Sequence, residues 1–383
     1  MKKVLLTAVM AAVMITAAVT EAAAATPQFG RTEEEWARLR DNTLEYIEID
    51  DLIKEYNPTV RSNNHEMSEW KKTYGTTNRE ASDAYRDLAG EIYAGLSYPD
   101  ASDPMYGVTM SSIVMSEQSA KNLEAQADNT LEDAEVKRLG FELAEKTLGK
   151  TARSDMISYY SNILNARKAE LNVQLLSSQL NVKNVQAGLG MATQIDVLSA
   201  QESLMSAQQS KLAADASIDT VRNRLLLMCG WESGADAEIG SLPGPDPAGV
   251  DTIDKAADLE TAKANNYNIR INRRKLENAS SDSVRTSVEL AIKTGEQNVE
   301  TSLEAAYAAL KASRDAYNYA VSGVQLQNSL LEKAEKNYSL GSISRVELES
   351  QRITAETAQI GLTQAGYALI EARNNYDDIV NGL

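Results

Sequence analysis

Among 383 residues there is one cysteine, Cys229, and one histidine, His65. No intrachain disulfide can form, and the His/Cys ligand sets that hold most structural zinc ions cannot be assembled. Large aromatics are scarce, with two phenylalanines and three tryptophans, too few to fill several globular cores. Only seven prolines occur, none between 105 and 242 and none after 247. Because proline breaks helix interiors, two long tracts are free to run as continuous helix. Positive charge is also in deficit: 38 Lys and Arg against 55 Asp and Glu give a net charge of −17. A phosphate polymer needs a basic footprint, so nucleic acid is excluded as a partner. What is abundant is Ala, Leu, Glu, Gln, Lys and Asn, the composition of helices packed on one another.

The same shortages bear on chemistry. No Ser/His/Asp set can be built convincingly around a single histidine, and no glycine-rich phosphate loop follows a strand. His65, near Glu66 and Glu69, reads as plain surface on a polar helix. Cys229, at the end of a Leu-Leu-Leu-Met run, reads as a small buried hydrophobe. No catalytic residue, cofactor or metal is expected, and the chain does not read as an enzyme.

Lys2 and Lys3 precede an apolar run from Val4 to Val19, followed by Ala22-Ala23-Ala24-Ala25. A basic start, an apolar centre and small residues at the end describe a secretory signal peptide over 1–25. The other reading of this segment is an uncleaved anchor, and it is the only direct membrane contact expected. The protein is therefore expected to be exported to the cell envelope.

The stretch from Gly234 to Gly249, GADAEIGSLPGPDPAG, is the clearest linker in the chain. It divides the sequence into a first repeat at 30–231, a linker at 232–250 and a second repeat at 251–383. In 157–185 the apolar positions Ile157, Tyr160, Leu164, Leu171, Leu175, Val182 and Val185 fall at spacings of three, four and seven. In 303–338 Leu303, Tyr307, Leu310, Tyr317, Val321, Val324, Leu331 and Tyr338 do the same, and Val346, Ile353, Ile360 and Tyr367 recur on sevens. A sustained seven-residue period keeps one face on a partner helix only in a left-handed coiled coil. The fold class expected is all-α, with long antiparallel coiled-coil hairpins in two internal repeats and little or no β-barrel.

The two halves share a turn. Leu189-Gly190-Met191-Ala192-Thr193-Gln194-Ile195-Asp196 aligns with Leu340-Gly341-Ser342-Ile343-Ser344-Arg345-Val346-Glu347. Gly190 and Gly341 suit the left-handed residue that ends a helix. Thr193 and Ser344 then suit the cap of the next helix, with Asp196 and Glu347 completing capping boxes. The halves also open alike, with Asn57-Pro58-Thr59-Val60-Arg61 beside Asn266-Tyr267-Asn268-Ile269-Arg270.

On these residues, and on Leu227-Met228-Cys229-Gly230-Trp231, the sequence resembles the TolC family of outer-membrane efflux proteins over roughly 50–383. The resemblance implies a homotrimer whose twelve long helices curve into a hollow α-barrel. Its tips would dock on a periplasmic adaptor and receive substrate from an inner-membrane transporter. The implied docking residues are Leu189, Gly190, Met191, Ala192 and Thr193, with Leu340, Gly341, Ser342, Ile343 and Ser344. Glu347 matches the first of the family's acidic gate positions, and Ser350 stands where the second belongs.

The resemblance fails where the family inserts membrane strands. Gly190 follows Asn57 by 133 residues, whereas Gly341 follows Asn266 by only 75. Leu276 to Leu303 reads as uninterrupted helix, and Ser97 to Ser112 lacks the ten or so alternating residues that a lipid-facing strand needs. No transmembrane barrel is predicted. Two functions follow: a passive trimeric conduit, or a barrel-less envelope scaffold that uses the same tips without a pore.

Overall fold

The computed structural model describes residues 27–383, so the expected signal segment lies outside the described residues. The chain order is α1 (Glu33–Leu39), β1 (Thr43–Leu44), α2 (Ile49–Tyr56), α3 (Pro58–Tyr74), α4 (Asn78–Ala94), α5 (Tyr106–Asn129), α6 (Ala134–Gly188) and α7 (Gln194–Met228). Then come β2 (Glu238–Ile239), α8 (Lys255–Asn265), α9 (Tyr267–Asn278), α10 (Asp282–Ser339) and α11 (Arg345–Val380). Four helices dominate, with 55 residues in α6, 35 in α7, 58 in α10 and 36 in α11. At 1.5 Å per residue α6 and α10 each extend for more than about 80 Å. α6 packs on α7, α10 on α11 and α11 on α6, giving a layer ordered α7–α6–α11–α10.

The heaviest packing lies where α7 and α11 end, at the waist of the molecule. Trp36, Leu44, Ile49, Leu52, Ile53, Met156, Leu225, Leu226 and Cys229 form one buried cluster there. Val250, Leu303, Leu310, Leu369, Tyr376 and Ile379 form a second. Cys229 is buried as expected, and the apolar surroundings push its thiol pKa up to about 12.

The asparagines that open each half have a double role. The Asn57 side-chain oxygen accepts from the Thr59 and Val60 amides, capping α3. Its amide donates to the Met228 carbonyl at 2.7 Å, clasping the end of α7. Asn266 repeats the device, accepting from Ile269 N and donating to the Gly382 carbonyl beyond α11. α3, α6 and α7 thus correspond to α9, α10 and α11. The first half carries one further element between the counterparts of α9 and α10: the helical pair α4–α5. That pair, with its connections, accounts for the longer spacing from Asn57 to Gly190.

Among the described residues the only strands are β1 and β2, a two-residue parallel pair with Thr43 opposite Glu238, and no closed barrel forms. The irregular segment near Ser97 is the turn between two helices, not a strand. One expectation is corrected. Leu276 to Leu303 is not continuous helix, because α9 ends at Asn278 and α10 begins at Asp282. The Ser281 hydroxyl accepts from Val284 N to start the new helix, and the Asn278 amide is drawn to the Leu131 carbonyl and Asp133.

The Pro/Gly stretch expected as a linker is strapped down along its length. Arg222 donates to the carbonyls of Ala235 and Ala237, and the Tyr160 hydroxyl lies within hydrogen-bond distance of those of Ile239 and Gly240. Pro245 lies against Gly366.

Candidate functional site: the two hairpin tips

The tips at Gly190 and Gly341 share one backbone design. Each glycine has φ of +74°, the left-handed region that a Cβ penalises. In the first tip Gly190 N donates to the Ala187 carbonyl at 3.0 Å and Met191 N to that of Gln186 at 2.8 Å. In the second, Gly341 N donates to Tyr338 at 2.9 Å and Ser342 N to Asn337 at 2.8 Å. This pair of bonds satisfies carbonyls that the helix end would otherwise leave open.

The following helices are capped as predicted. Thr193 Oγ1 accepts from Asp196 N at 3.2 Å while Asp196 accepts from Thr193 N at 2.8 Å. Ser344 Oγ accepts from Glu347 N at 3.2 Å while Glu347 accepts from Ser344 N at 2.7 Å. The backbone amide bonds at the caps hold both carboxyls below the usual carboxylate range. Glu347 is thus engaged as a cap. Of the expected docking residues, Leu189, Met191 and Leu340 stand exposed at 70, 74 and 70 % of their surface, while Ala192 and Ile343 are half-buried.

The tips differ in charge. Around the second tip Arg352 pairs with Glu335 at 3.0 Å, and Glu335, Tyr338, Arg345, Leu348, Glu349 and Arg352 line a cleft of about 570 Å³. Around the first tip Lys183 and Asp196 are the only charges from Leu171 to Gln201. Glu349 faces α6, where it accepts from the Ser178 hydroxyl at 2.8 Å. It belongs to a polar seam between the hairpins that includes Arg167–Glu356 and Lys168–Gln364, at 2.7 and 2.6 Å.

A further surface feature lies on the outermost helices. On α7, Ile195, Leu198, Met205 and Leu212 follow one another at spacings of three, seven and seven and are 55–76 % exposed. On α10, Tyr319, Leu326 and Leu330 line up at spacings of seven and four, likewise facing solvent. Both stripes lie within about 30 Å of the tips at the helical rise. The two edges of the layer are therefore apolar on the tip side. Among the described residues no group of three or more His, Cys, Asp and Glu side chains could hold a metal ion. No described helix is long and apolar enough to cross a membrane.

The sequence matches no family model, and no curated protein aligns with it. Solved structures do share the fold. A membrane protein from Pseudomonas aeruginosa matches with a TM-score of 0.55 at 13% identity, covering 88% of this chain and 90% of its own. The outer-membrane channel OprN matches with a TM-score of 0.52 at 12% identity, covering 91% and 92%. CusC, described as forming a transmembrane channel, matches at 0.51 and 9% identity over 88% and 92%. The fold of this chain is TolC-like: two helical hairpins side by side, with an α-helical pair, α4–α5, and no barrel strands among the described residues.

Proposed function

We propose that the chain assembles edge to edge into a closed trimeric ring and serves as a passive efflux conduit of the cell envelope. The observation that carries this reading is the pair of exposed apolar stripes on opposite edges of one four-helix layer. A stripe on α7 of one copy can cover the stripe on α10 of the next. Such a head-to-tail contact closes into a ring when the layer is curved. Covering both stripes would bury side chains that a monomer leaves in water, at about 25 cal/mol per Å² of apolar surface. The TolC-like fold supports three copies, giving twelve long helices around a lumen. The tips then project as six hairpin turns, whose exposed Leu189, Met191 and Leu340 suit docking of a periplasmic-type adaptor. The adaptor would in turn couple the ring to an inner-membrane transporter. In this reading Glu347 is the acidic side chain at the conduit's mouth, alongside its role as a cap.

Mass photometry of the mature chain tests the assembly. A trimer is expected, and Leu198→Glu, Met205→Glu and Leu212→Glu together should yield monomers of unchanged helicity. A wild-type chain that stays monomeric at micromolar concentration overturns the conduit and favours the scaffold reading. Docking is tested separately. Replacing Gly190 and Gly341 by valine should abolish adaptor capture while leaving the trimer in place.

A further inference from the structure

The α4–α5 pair stands apart from the machinery described so far. Its base lies at the first residue of α6, at the end of that helix remote from the tips. There the Asn78 amide donates to the carbonyls of Thr130 and Glu132, and Ala134 N donates to Thr76. Beyond the base the two helices lean on each other along a thin seam. The fully buried side chains in it are Ala81, Ser82 and Ala89 on α4 and Ile113, Ala120 and Ala127 on α5. Away from the seam the pair presents Tyr98, Met105, Val108, Val114 and Met115 to solvent, each 57–72 % exposed. That is more apolar surface than such a slender element needs for its own packing.

Charge identifies what suits this surface. Residues 78–129 carry nine acidic and three basic side chains, and no Lys or Arg occurs between Arg86 and Lys121. Asp87, Glu91, Asp100, Asp103 and Glu117 fall in that gap, and no described Lys or Arg pairs with any of them. The Asp100 and Asp103 carboxylates are turned onto local donors, the Ser102 and Met105 amides, at the very end of the hairpin. A second copy of the same hairpin would bring like charges together, and an anionic lipid surface would do the same. Either juxtaposition costs free energy. A cationic surface has the complementary potential and neutralises a row that this chain leaves unpaired.

We infer that the α4–α5 hairpin is a docking arm for a second, different protein, one that presents lysine or arginine side chains around an apolar patch. The apolar residues near 105–115 supply the buried centre of the contact and the acidic residues its rim. The inference does not depend on the conduit reading, because the arm sits at the opposite end from the tips.

The experiment places a photo-cross-linking phenylalanine analogue at Met115 of the full chain, in the cell that makes it, and sequences the adduct. The expected adduct is a segment of another protein carrying several Lys or Arg residues. That segment, made as a peptide, should bind the purified wild-type chain. Binding should weaken about tenfold or more when Asp87, Glu91, Asp100 and Asp103 are all changed to their amides, and also when salt rises from about 50 to about 300 mM. Circular dichroism of the amide variant should show the helicity retained, and a Gly190→Val tip variant should bind like wild type. An adduct with lipid, with a second copy of this chain or with a neutral or acidic segment overturns the inference. So does the absence of any adduct, or an affinity that neutralisation leaves unchanged.

Discussion

The waist and the tip-ward half are cut from the same four helices, yet they bury their apolar residues very differently. At the waist Leu225, Leu226 and Met156 are at most 1 % exposed, enclosed by α1, α2 and the strapped Pro/Gly stretch. Toward the tips, α7 buries only Val197 and Ala207 and leaves Ile195, Leu198, Met205 and Leu212 in solvent. A heptad pattern therefore says that a helix face will be covered, not which chain will cover it. In the waist the cover is this chain; toward the tips, under the function proposed, it is the neighbouring copy.

The sharpest way to break that contrast is to truncate one leucine from each region. Leu225→Ala removes side-chain volume from a filled core and should lower the unfolding free energy by about 2–5 kcal/mol in urea titrations. Leu198→Ala should move the monomer by no more than about 0.5 kcal/mol, as at other surface positions. Equal losses at the two sites would erase the distinction.

Glycines sharpen the comparison at a smaller scale. Gly230, at the waist, has φ of +96°, and a Cβ there would sit 2.3 Å from Tyr56 Cβ. Gly190 at the tip has open space around it and only its positive φ to protect. Gly190→Ala should therefore cost about 1–2 kcal/mol, the ordinary penalty for a left-handed L residue. Gly230→Ala should cost visibly more, because backbone strain and overpacking add. The difference should show as a lower urea midpoint for Gly230→Ala.

Much of the tip was legible in the sequence because its causes are local. A glycine, a hydroxyl three residues on and a carboxylate three beyond that suffice to write a helix end and a capping box. The long helices were legible for the same reason, through period and the lack of proline. What stayed hidden depends on distant partners. Asn278 breaks the chain between α9 and α10 because Leu131 and Asp133 offer it hydrogen bonds from another part of the sequence. α4 and α5 are joined mostly by alanine and serine, with Ile113 the one large apolar residue buried between them, so their pairing left only a weak periodic trace. The second role of Asn57, clasping Met228, has no sequence signal beyond its likeness to Asn266. The exposed stripes on α7 and α10 fall outside the heptad positions picked out from the sequence, and only the layer order puts them on its edges.

The caps provide a further test of tip design. Thr193→Ala and Ser344→Ala each remove a side-chain acceptor that satisfies the first turn of α7 or α11, which should cost about 1 kcal/mol. Amide hydrogen exchange should speed up at Asp196 and Glu347 and stay unchanged at Leu225. Protection lost equally at the waist would mean that tip and waist unfold as one unit.

Acid separates the two regions by sign. At the tips, the Asp196 and Glu347 carboxyls are lowered, chiefly by the backbone amides they accept from. The folded tip then holds fewer protons than the unfolded chain, so its stabilisation is complete above the ordinary carboxylate range and is lost as pH falls through the lowered values. At the waist, Glu48 is wholly buried with Arg38 Nε 2.5 Å away, and burial raises its pKa; burial likewise raises Asp378 beside Arg153. For these two the folded state binds protons more readily than the unfolded chain. The cost of burying their charge is present at neutral pH and is relieved as pH falls through the raised values toward the ordinary range. Mild acidification should therefore first favour the waist and only later fray the tips. Comparing the pH dependence of Tm for wild type and Glu48→Gln isolates the waist contribution. The variant should be the more stable at neutral pH, with its advantage shrinking as pH drops through the raised range. An advantage that grows with acid would show that Glu48 is better paired by Arg38 than its burial implies, and would remove the opposition between waist and tips.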